Sequence, residues 1–457
     1  MSEQRSRPPA LYGGERSPAD RRRAFTAGEV PVAVYGLGKM GLPLAAVYAD
    51  VSGAVTGVDV DPDVIAAVAA GDCPVDGEPG LPAAVSDLVA EGALDATTDG
   101  TRAAADARVH VVIVPTVVDD GEVDLSTLEA AVRTIGAGLD PGDLVVVEST
   151  VPPRTCRDRV APWLEAESGL TVGEFGLAFC PERTMSGRAL EDITGAYPKV
   201  VGGVDAESRD AAELIYGEIT DNEVIPVADA TTAECVKVFE GVYRDVNIAL
   251  ANELARLADE LAVDVTDAIE VANTQPFCDI HDPGPGVGGH CIPYYPYFLI
   301  SEFDGPTPLM RTARRVNDAM PRFTVEKTAA ELADAGRNLA GSTVVVLGLT
   351  YRPGVDETRA SPGIDVAEQL RDRDADVYAV DPVCTTPPPD GVGRLELAEV
   401  ADVDPDAVVL VTAHEAFESL EWDALGDAVV VDGRRALSVD DSVRSVYAIG
   451  DGSGTNR

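Results

Sequence analysis

The sequence has no long uncharged apolar segment. No run approaches the 18 or more residues that a membrane-spanning helix needs. The basic residues near the start, Arg5, Arg7 and Arg21 to Arg23, are not followed by the apolar stretch of a secretory leader. We therefore expect a cytoplasmic protein that does not bind membranes.

Positive charge is also scarce. The 457 residues include 35 Lys plus Arg against 79 Asp plus Glu, a formal net charge of −44. Nucleic acids need a basic face, so they are excluded as expected partners. Hydrophobic residues still make up 45% of the chain, enough to bury a large core, so we expect the acidity on the surface of a folded protein.

Lysine is far rarer than arginine, with Lys39, Lys199, Lys237 and Lys327 as its four examples. An acid excess with so few lysines resembles halophilic proteins, in which concentrated salt screens the repulsion between acids. An ordinary acidic soluble protein is the alternative interpretation.

Cysteine and histidine are few and scattered. The four histidines form no ligand cluster, and the cysteines show no Cys-x-x-Cys spacing. We expect neither a disulfide scaffold nor a metal site, although one cysteine can still act chemically. The seven cysteines are Cys73, Cys156, Cys180, Cys235, Cys278, Cys291 and Cys384.

Two similar βαβ patterns stand far apart in the chain. An apolar run from Val30 enters Gly36-Leu-Gly-Lys-Met-Gly41, and a helical stretch then leads to a strand that ends at Asp59. A second unit of this kind begins near Ser342 and ends at Asp381. The fold class is therefore α/β, with two Rossmann-like doubly wound domains joined by a long helix and a small helical domain.

The predicted boundaries follow from these patterns. Residues 1–28 form a mobile tail, 29–228 a dinucleotide-binding domain, 229–325 a central helical domain and 326–457 a second Rossmann-like domain. The long helix runs from Asp229 to about Leu261 and is too apolar for one domain to cover. We therefore expect it to form a homodimer or a higher homo-oligomer.

The first glycine motif predicts a dinucleotide site. Gly36, Gly38 and Gly41 allow a tight turn and close approach of a pyrophosphate to a helix N-terminus. Asp59 ends the next strand, where an acid accepts hydrogen bonds from ribose hydroxyls. Asp59 and Asp61 would repel a 2′-phosphate, which favours NAD over NADP.

Three further sites carry possible chemistry. Small residues precede Cys291 and would admit a substrate close to its sulfur, but a loop with an ordinary buried cysteine fits the spacing equally well. Cys180 follows an apolar run and is predicted to be packed at a strand end. Glu182 is a base or an ion-pair partner of Arg183. Lys237 is either partly buried and functional or a solvated side chain on its helix.

Taken together, these motifs resemble the UDP-glucose/GDP-mannose dehydrogenases from about residue 30 onward. Cys180-Pro-Glu-Arg and Gly-Gly-His-Cys291 resemble the branch that acts on UDP-N-acetylmannosamine or UDP-N-acetylglucosamine. The motifs, in chain order, are Gly36 to Gly41 with Asp59, Ser149-Thr-Val-Pro152, Cys180-Pro-Glu-Arg183, Lys237 with Tyr243 to Asn247, Gly-Val-Gly-Gly-His-Cys291-Ile-Pro, and Tyr351-Arg-Pro-Gly with Thr358-Arg-x-Ser-Pro.

The resemblance implies an NAD-dependent, four-electron oxidation of a sugar C6 alcohol to a carboxylate, which supplies polysaccharide biosynthesis. Cys291 would attack the aldehyde to give a thiohemiacetal and then a thioester. Lys237 would support the oxyanion or move a proton, and Glu182 would position water or substrate. The implied cofactor contacts are Gly36, Gly38, Met40, Gly41, Asp59, Thr116, Thr150 and Arg359. The implied substrate contacts are Arg183, Thr184, Arg244, Gly288, Tyr351 and Arg352.

Three positions depart from the family's pattern. Gly241 stands where Asn is usual, four residues after the lysine. Tyr295 stands where Asp is usual, four residues after the cysteine. Gln275-Pro276-Phe277 replaces the branch's His-Pro-Arg. UDP-N-acetyl-D-mannosamine is our first expectation for the substrate; UDP-N-acetylglucosamine or UDP-glucose, and a UDP-sugar-binding regulator without activity, are the alternatives.

Overall fold

The protein is described by a computed structural model that covers residues 8–14, 16–438 and 445–453. The chain divides into two compact units. The first comprises Met1–Phe239 and Tyr297–Glu302, and the second comprises Glu240–Pro296 and Phe303–Arg457. The sequence-based boundaries near residues 28, 228 and 325 stay predictions.

The regular elements are numbered in chain order. The strands are β1 (Val32–Tyr35), β2 (Val55–Val58), β3 (Leu94–Thr97), β4 (Val109–Val112), β5 (Val117–Asp119), β6 (Glu122–Asp124), β7 (Leu144–Val147), β8 (Gly176–Phe179), β9 (Lys199–Gly203), β10 (Val224–Pro226), β11 (Thr343–Leu347), β12 (Asp376–Val380), β13 (Gly393–Arg394), β14 (Ala407–Leu410), β15 (Val429–Asp432) and β16 (Ser445–Ala448). The α-helices are α1 (Pro18–Thr26), α2 (Gly41–Ser52), α3 (Pro62–Ala69), α4 (Leu81–Glu91), α5 (Gly100–Asp106), α6 (Ser126–Gly136), α7 (Ala161–Ser168), α8 (Ala189–Glu191), α9 (Ala206–Ile219), α10 (Ala230–Leu261), α11 (Val265–Ala272), α12 (Tyr297–Ile300), α13 (Pro308–Asp318), α14 (Met320–Asp334) and α15 (Pro362–Arg371). Short 3₁₀ or π-helical turns add Cys156–Val160, Asp192–Ala196, Leu397–Val403, Glu415–Ser419 and Trp422–Leu425.

The first unit is built on a twisted sheet. Among the described residues its strand order is β10-β9-β8-β7-β4-β1-β2-β3, and neighbours are parallel except for the pair β8 and β9. Strands β1, β4, β7 and β8 are buried at every position. Val, Leu and Ala make up most of these four strands, which suits a parallel sheet that is covered on both faces. The order β3-β2-β1-β4 reverses direction at β1, where ligands bind in open α/β sheets.

The start of the chain differs from the expected tail. Residues 18–26 form helix α1, in which Ser17 accepts a hydrogen bond from the N–H of Asp20 and Pro18 opens the first turn. Phe25 is fully buried and meets the ring of Tyr48 edge-on. The helix buries Ala24 and Phe25 of its residues, too few to produce an apolar period in the sequence. Residues 1–7 lie outside the described residues.

The second unit repeats the architecture. In its described part a parallel sheet has the order β13-β12-β11-β14-β15-β16, so the reversal falls at β11. The predicted second βαβ unit is confirmed as β11, α15 and β12. The two Rossmann-like sheets therefore confirm the predicted fold class.

The internal repeat extends to hydrogen bonds. In the first unit Asp59 Oδ2 accepts from the N–H of Leu37 at 2.8 Å. In the second, Asp381 Oδ2 accepts from the N–H groups of Leu349 and Thr350, each at 2.8 Å. An acid at the end of the second strand thus fixes the turn after the first strand in both folds.

The predicted long helix is α10, which spans 32 residues. Asp229 caps its N-terminus, because Asp229 Oδ1 accepts from the N–H of Thr232 at 2.7 Å. Within the part of the chain that the structure describes, neither α10 nor another helix combines the length and hydropathy of a membrane span.

Candidate active site

The glycine turn after β1 is shaped by close backbone packing. Gly36 has φ +97°, and a Cβ on it would lie 2.5 Å from the carbonyl oxygen of Ile113. A Cβ on Gly41 would overlap the carbonyl oxygen of Gly36. Gly38 differs, because a Cβ there would have no protein atom within 4 Å. Gly36 and Gly41 are needed by the fold, whereas Gly38 leaves open space over the turn.

This turn fits a dinucleotide. Helix α2 begins at Gly41 without a side-chain cap from Met40. The N–H of Leu42 donates to the Gly38 carbonyl oxygen at 3.0 Å and Pro43 has no N–H, so the N–H of Gly41 is the donor that the first turn of α2 offers to a pyrophosphate. Asp59 holds the turn through Leu37 and accepts from the N–H of Asp61 at 3.0 Å. Gly36, Gly38, Met40, Gly41 and Asp59 would hold the cofactor here.

Thr116 and Thr150 lie at the carboxyl ends of neighbouring strands. Thr116 Oγ1 donates to the carbonyl oxygen of Thr150 at 2.6 Å. Ser149 Oγ bonds both the N–H and the carbonyl of Val114, each at 2.8 Å. These bonds join the chain after β4 to the chain after β7, and so the structure brings both predicted threonines together in the first unit.

The loop after β8 carries Glu182. Cys180 is fully buried at the strand end, as predicted, and burial raises the pKa of its thiol. The Nζ of Lys237 donates to the Glu182 carbonyl oxygen and lies 3.6 Å from its Oε2. Thr184 donates to the Glu182 carboxylate from its N–H and its hydroxyl.

The electrostatics favour an ionised Glu182. Burial alone would raise its pKa, but Lys237 and the Thr184 hydrogen bonds outweigh that effect, so its pKa lies below the ordinary value. The Lys237 side chain is 9% exposed, so it is partly buried and is not a solvated side chain on its helix. The structure therefore unites Glu182, Thr184 and Lys237 in one charged cluster.

A second ion pair lies beneath this loop, and sequence reasoning missed it. Lys199 Nζ lies 2.8 Å from Glu148 Oε2, donates to the carbonyl of Pro181 at 3.3 Å and stacks over the ring of Tyr216. The Glu148 side chain is 1% exposed and also accepts from the Tyr216 hydroxyl. The scarcity of lysine was the one signal that pointed to Lys199.

Glu234 is a further residue that the motifs did not indicate. Its two carboxyl oxygens accept from the N–H groups of Arg154 at 2.5 Å and Cys156 at 2.7 Å. Arg154 has φ +80°, an unfavourable conformation for a residue with a side chain. Glu234 therefore ties the strained end of the loop that carries Thr150 to helix α10, three residues before Lys237.

The predicted cysteine loop lies in the second unit. Cys291 is exposed, which excludes the ordinary buried cysteine considered above. Gly288 must lack a side chain, because a Cβ there would lie 2.7 Å from both the Ala360 carbonyl oxygen and Tyr351 Cβ. The N–H of Gly289 donates to the carbonyl of Arg359 at 2.9 Å.

The remaining predicted residues of this unit differ in their contacts and in their exposure. Tyr351 packs against Gly288 and Gly289, and burial, followed by Glu357, raises its pKa. His290 Nε2 lies 2.9 Å from Glu357 Oε2. Arg352 is half-buried, whereas the side chains of Arg359 and Arg244 are exposed.

In the first unit, Arg183 Nη1 donates to the carbonyl of Pro198 at 2.8 Å.

The cofactor turn, the threonine pair and the Glu182 cluster follow strands β1, β4, β7 and β8, which are parallel neighbours. They therefore share one carboxyl edge of the sheet. A Rossmann-like sheet with this turn and edge defines the class of the protein: it is a dinucleotide-binding protein.

Comparison with known proteins defines the family. Domain profiles of the UDP-glucose/GDP-mannose dehydrogenase family match residues 30–220 (NAD binding domain), 231–319 (central domain) and 345–439 (UDP binding domain). The chain belongs to this family and is an NAD-dependent nucleotide-sugar dehydrogenase.

Several relatives cover nearly the whole chain. A UDP-N-acetyl-D-mannosamine dehydrogenase of Pyrococcus horikoshii is 36% identical over 89% of this chain and 96% of its own. An NDP-N-acetyl-D-galactosaminuronic acid dehydrogenase of Ralstonia nicotianae is 36% identical over 88% and 95%. A solved UDP-D-ManNAc dehydrogenase structure from P. horikoshii matches with a TM-score of 0.84 and 35% identity, covering 92% of this chain and 99% of that one.

Proposed function

We propose that the protein oxidises C6 of UDP-N-acetyl-D-mannosamine to the carboxylate and so makes UDP-N-acetyl-D-mannosaminuronate for polysaccharide biosynthesis. The proposal is carried by the ion pair between Lys237 on α10 and Glu182 in the Cys-Pro-Glu-Arg loop. The relative of 36% identity that bears this substrate's name supports the choice of sugar. The net reaction converts one alcohol, two NAD⁺ and one water into one carboxylate, two NADH and three protons.

In this mechanism Cys291 is the nucleophile. NAD, when bound at the glycine turn, accepts hydride. An aldehyde lacks a transferable hydride until a nucleophile adds to it, and the Cys291 thiolate adds to C6 to form a thiohemiacetal. Its oxidation gives a thioester that water hydrolyses, which frees the thiol. Lys237 supports the developing oxyanion or carries its proton, and the ionised Glu182 positions substrate or water.

The proposed binding residues form two groups, one for the cofactor and one for the UDP-sugar. The cofactor is held by Gly36, Gly38, Met40, Gly41, Asp59, Thr116, Thr150 and Arg359. The UDP-sugar is held by Arg183, Thr184, Arg244, Gly288, Tyr351 and Arg352, whose arginines pair with its diphosphate.

We also propose a cytoplasmic, salt-adapted homodimer. On α10 a row of exposed apolar residues lies within about 40° of one helix face at 100° per residue. The row comprises Phe239, Tyr243, Leu250, Leu257 and Leu261, which are 42–58% exposed. A second copy of the chain is the occupant that would cover such a row.

The deciding experiment assays UDP-N-acetylmannosamine, UDP-N-acetylglucosamine, UDP-N-acetylgalactosamine and UDP-glucose with NAD at high salt. We expect the highest kcat/KM with the first sugar, and two NADH for each uronate by mass spectrometry. A preference for another sugar would refute the choice of substrate. Tight binding without NADH would favour the regulator instead.

Cys291→Ser tests the nucleophile. We expect uronate formation to fall by at least about 10³-fold, since nucleophile removal has effects of that size or larger. Cys384→Ser, at a cysteine outside the proposed site, is the matched control. Undiminished uronate formation by Cys291→Ser would refute the assignment.

A further inference from the structure

Gly241 and Tyr295 are far apart in sequence but lie in direct contact within the second unit. A Cβ on Gly241 would overlap Cδ2 of the Tyr295 ring and lie 2.8 Å from its Cβ and Cγ. Tyr295 is 8% exposed. Its ring therefore occupies the volume that a side chain at position 241 would need.

The same tyrosine closes the turn that begins at Cys291. The carbonyl oxygen of Cys291 accepts from the N–H of Tyr294 at 3.1 Å and from that of Tyr295 at 2.9 Å. The Cys291 thiol is exposed, and the loop before it is rich in glycine. The buried ring of Tyr295, through its contact with Gly241, anchors this turn to α10.

Gly241 is otherwise unfavourable where it stands. It lies in the interior of α10, where glycine is a poorer helix former than alanine. The contact with Tyr295 explains why the helix lacks a side chain at this position. The two departures from the family's pattern are thus one structural feature, in which the small residue makes room for the large one.

We propose that Tyr295 is a positioning residue for Cys291, and that Gly241 is its obligatory partner. The proposal rests on the proposed function, in which Cys291 attacks the aldehyde. The ring fixes the turn on α10, and a nucleophile displaced by about 1 Å loses about 10²-fold in rate. The phenol hydroxyl is not required by this role, because the contact is made by ring atoms.

The test is a mutant cycle with Gly241→Ala, Tyr295→Ala and the double variant, together with Tyr295→Phe. Gly241→Ala lowers kcat about 10²-fold in the wild-type background, because the new methyl displaces the ring. In the Tyr295→Ala background the same change lowers kcat no further. Tyr295→Phe retains most of the wild-type kcat. The KM for NAD stays constant throughout.

Gly217→Ala is the matched control, because Gly217 also lies in a helix but a methyl group added there would enter open space. It leaves kcat unchanged. A second readout needs no substrate: the rate of Cys291 alkylation by iodoacetamide, measured by peptide mass spectrometry. We expect this rate to change several-fold in Gly241→Ala and Tyr295→Ala and to match wild type in Tyr295→Phe and Gly217→Ala.

The outcomes separate the two proposals. Wild-type protein that forms no NADH with any UDP-sugar would overturn the proposed function, and the alkylation cycle would still report on positioning. Wild-type kcat and alkylation in Gly241→Ala would overturn the positioning role. Losses of kcat that follow the melting temperature, with unchanged Cys291 alkylation, would show a purely structural contact and would overturn it as well.

Discussion

At the scale of single residues, the few lysines occupy specific places. Lys199 pairs with Glu148, Lys237 with Glu182 and Lys327 with Asp259. Each of these three lysine side chains is no more than 24% exposed. Three of the four lysines therefore lie where a partly buried ammonium meets a carboxylate, which supports a functional or structural role for each of the three.

Glu234 gives a prediction for the pH dependence of stability. Burial raises the pKa of Glu234 to about 7 from an ordinary 4.5, despite its bonds to two backbone N–H groups. In the folded protein it keeps its proton up to about pH 7, whereas the unfolded chain loses it earlier. Between about pH 5 and 7 its contribution to the free energy of unfolding therefore falls with rising pH, by up to about 1.4 kcal/mol per unit.

The measurement compares urea unfolding of wild type and Glu234→Gln across this range. The many other carboxylates titrate in both proteins, so the difference between the two curves isolates Glu234. We expect the variant to gain stability relative to wild type as the pH rises to 7, and no further change above it. Parallel curves would show that Glu234 is ionised throughout.

At the scale of elements, the glycine turn between β1 and α2 combines two demands. Gly41 packs on the backbone of Gly36, whereas Gly38 faces open space. We expect Gly41→Ala to lower the melting temperature. Gly38→Ala should leave it unchanged while weakening NAD binding at least about tenfold, or about 1.4 kcal/mol, because the methyl enters the space for the pyrophosphate.

Calorimetry measures both quantities, with melting scans for stability and NAD titrations for affinity. Full NAD affinity in a stable Gly38→Ala protein would argue against a cofactor at this turn. Loss of stability in Gly38→Ala would mean that the turn is packed more tightly than the structure has it.

Helix α10 supports the second prediction at this scale. Leu257→Arg places a charge within its exposed apolar row, so we expect the dimer to dissociate. Sedimentation velocity at high salt measures the change. Leu309→Arg, at an exposed leucine outside α10, is the control and should leave the dimer intact. A wild-type protein that sediments as a monomer would refute the proposed assembly.

At the scale of the whole molecule, the net charge of −44 sets the response to salt. Raising KCl from about 0.1 M to about 1 M shortens the screening length from about 10 Å to about 3 Å. Because this weakens repulsion among surface acids, we expect the melting temperature and the rate of NADH formation to rise together. Both are measured over a KCl series, with NaCl at equal ionic strength as the control. A flat or falling melting temperature would refute salt adaptation.

The charge also bears on substrate binding, since the proposed substrate is a diphosphate anion. Arg183, Arg244 and Arg352 are the cations proposed for its diphosphate. An overall acidic protein must supply positive charge locally to hold such a ligand.

The sequence by itself determined the two βαβ units, the glycine turn and the long helix. These features depend on local patterns: apolar runs that end in glycine or aspartate, and helical spacing free of proline. The family motifs also indicated Glu182, Lys237 and Cys291 as candidate catalytic residues. Helix α1 escaped prediction because it buries too few apolar side chains to leave a period.

Only the tertiary structure decided which distant residues meet. Lys199 lies 51 positions from Glu148, Glu234 lies 78 from Cys156, and Tyr295 lies 54 from Gly241. A local pattern carries no information about such pairs, because the sheet order and the packing of helices bring them together. The sequence thus determined the elements and the chemical groups, and the fold decided which carboxylates are buried, which are paired, and why residue 241 has no side chain.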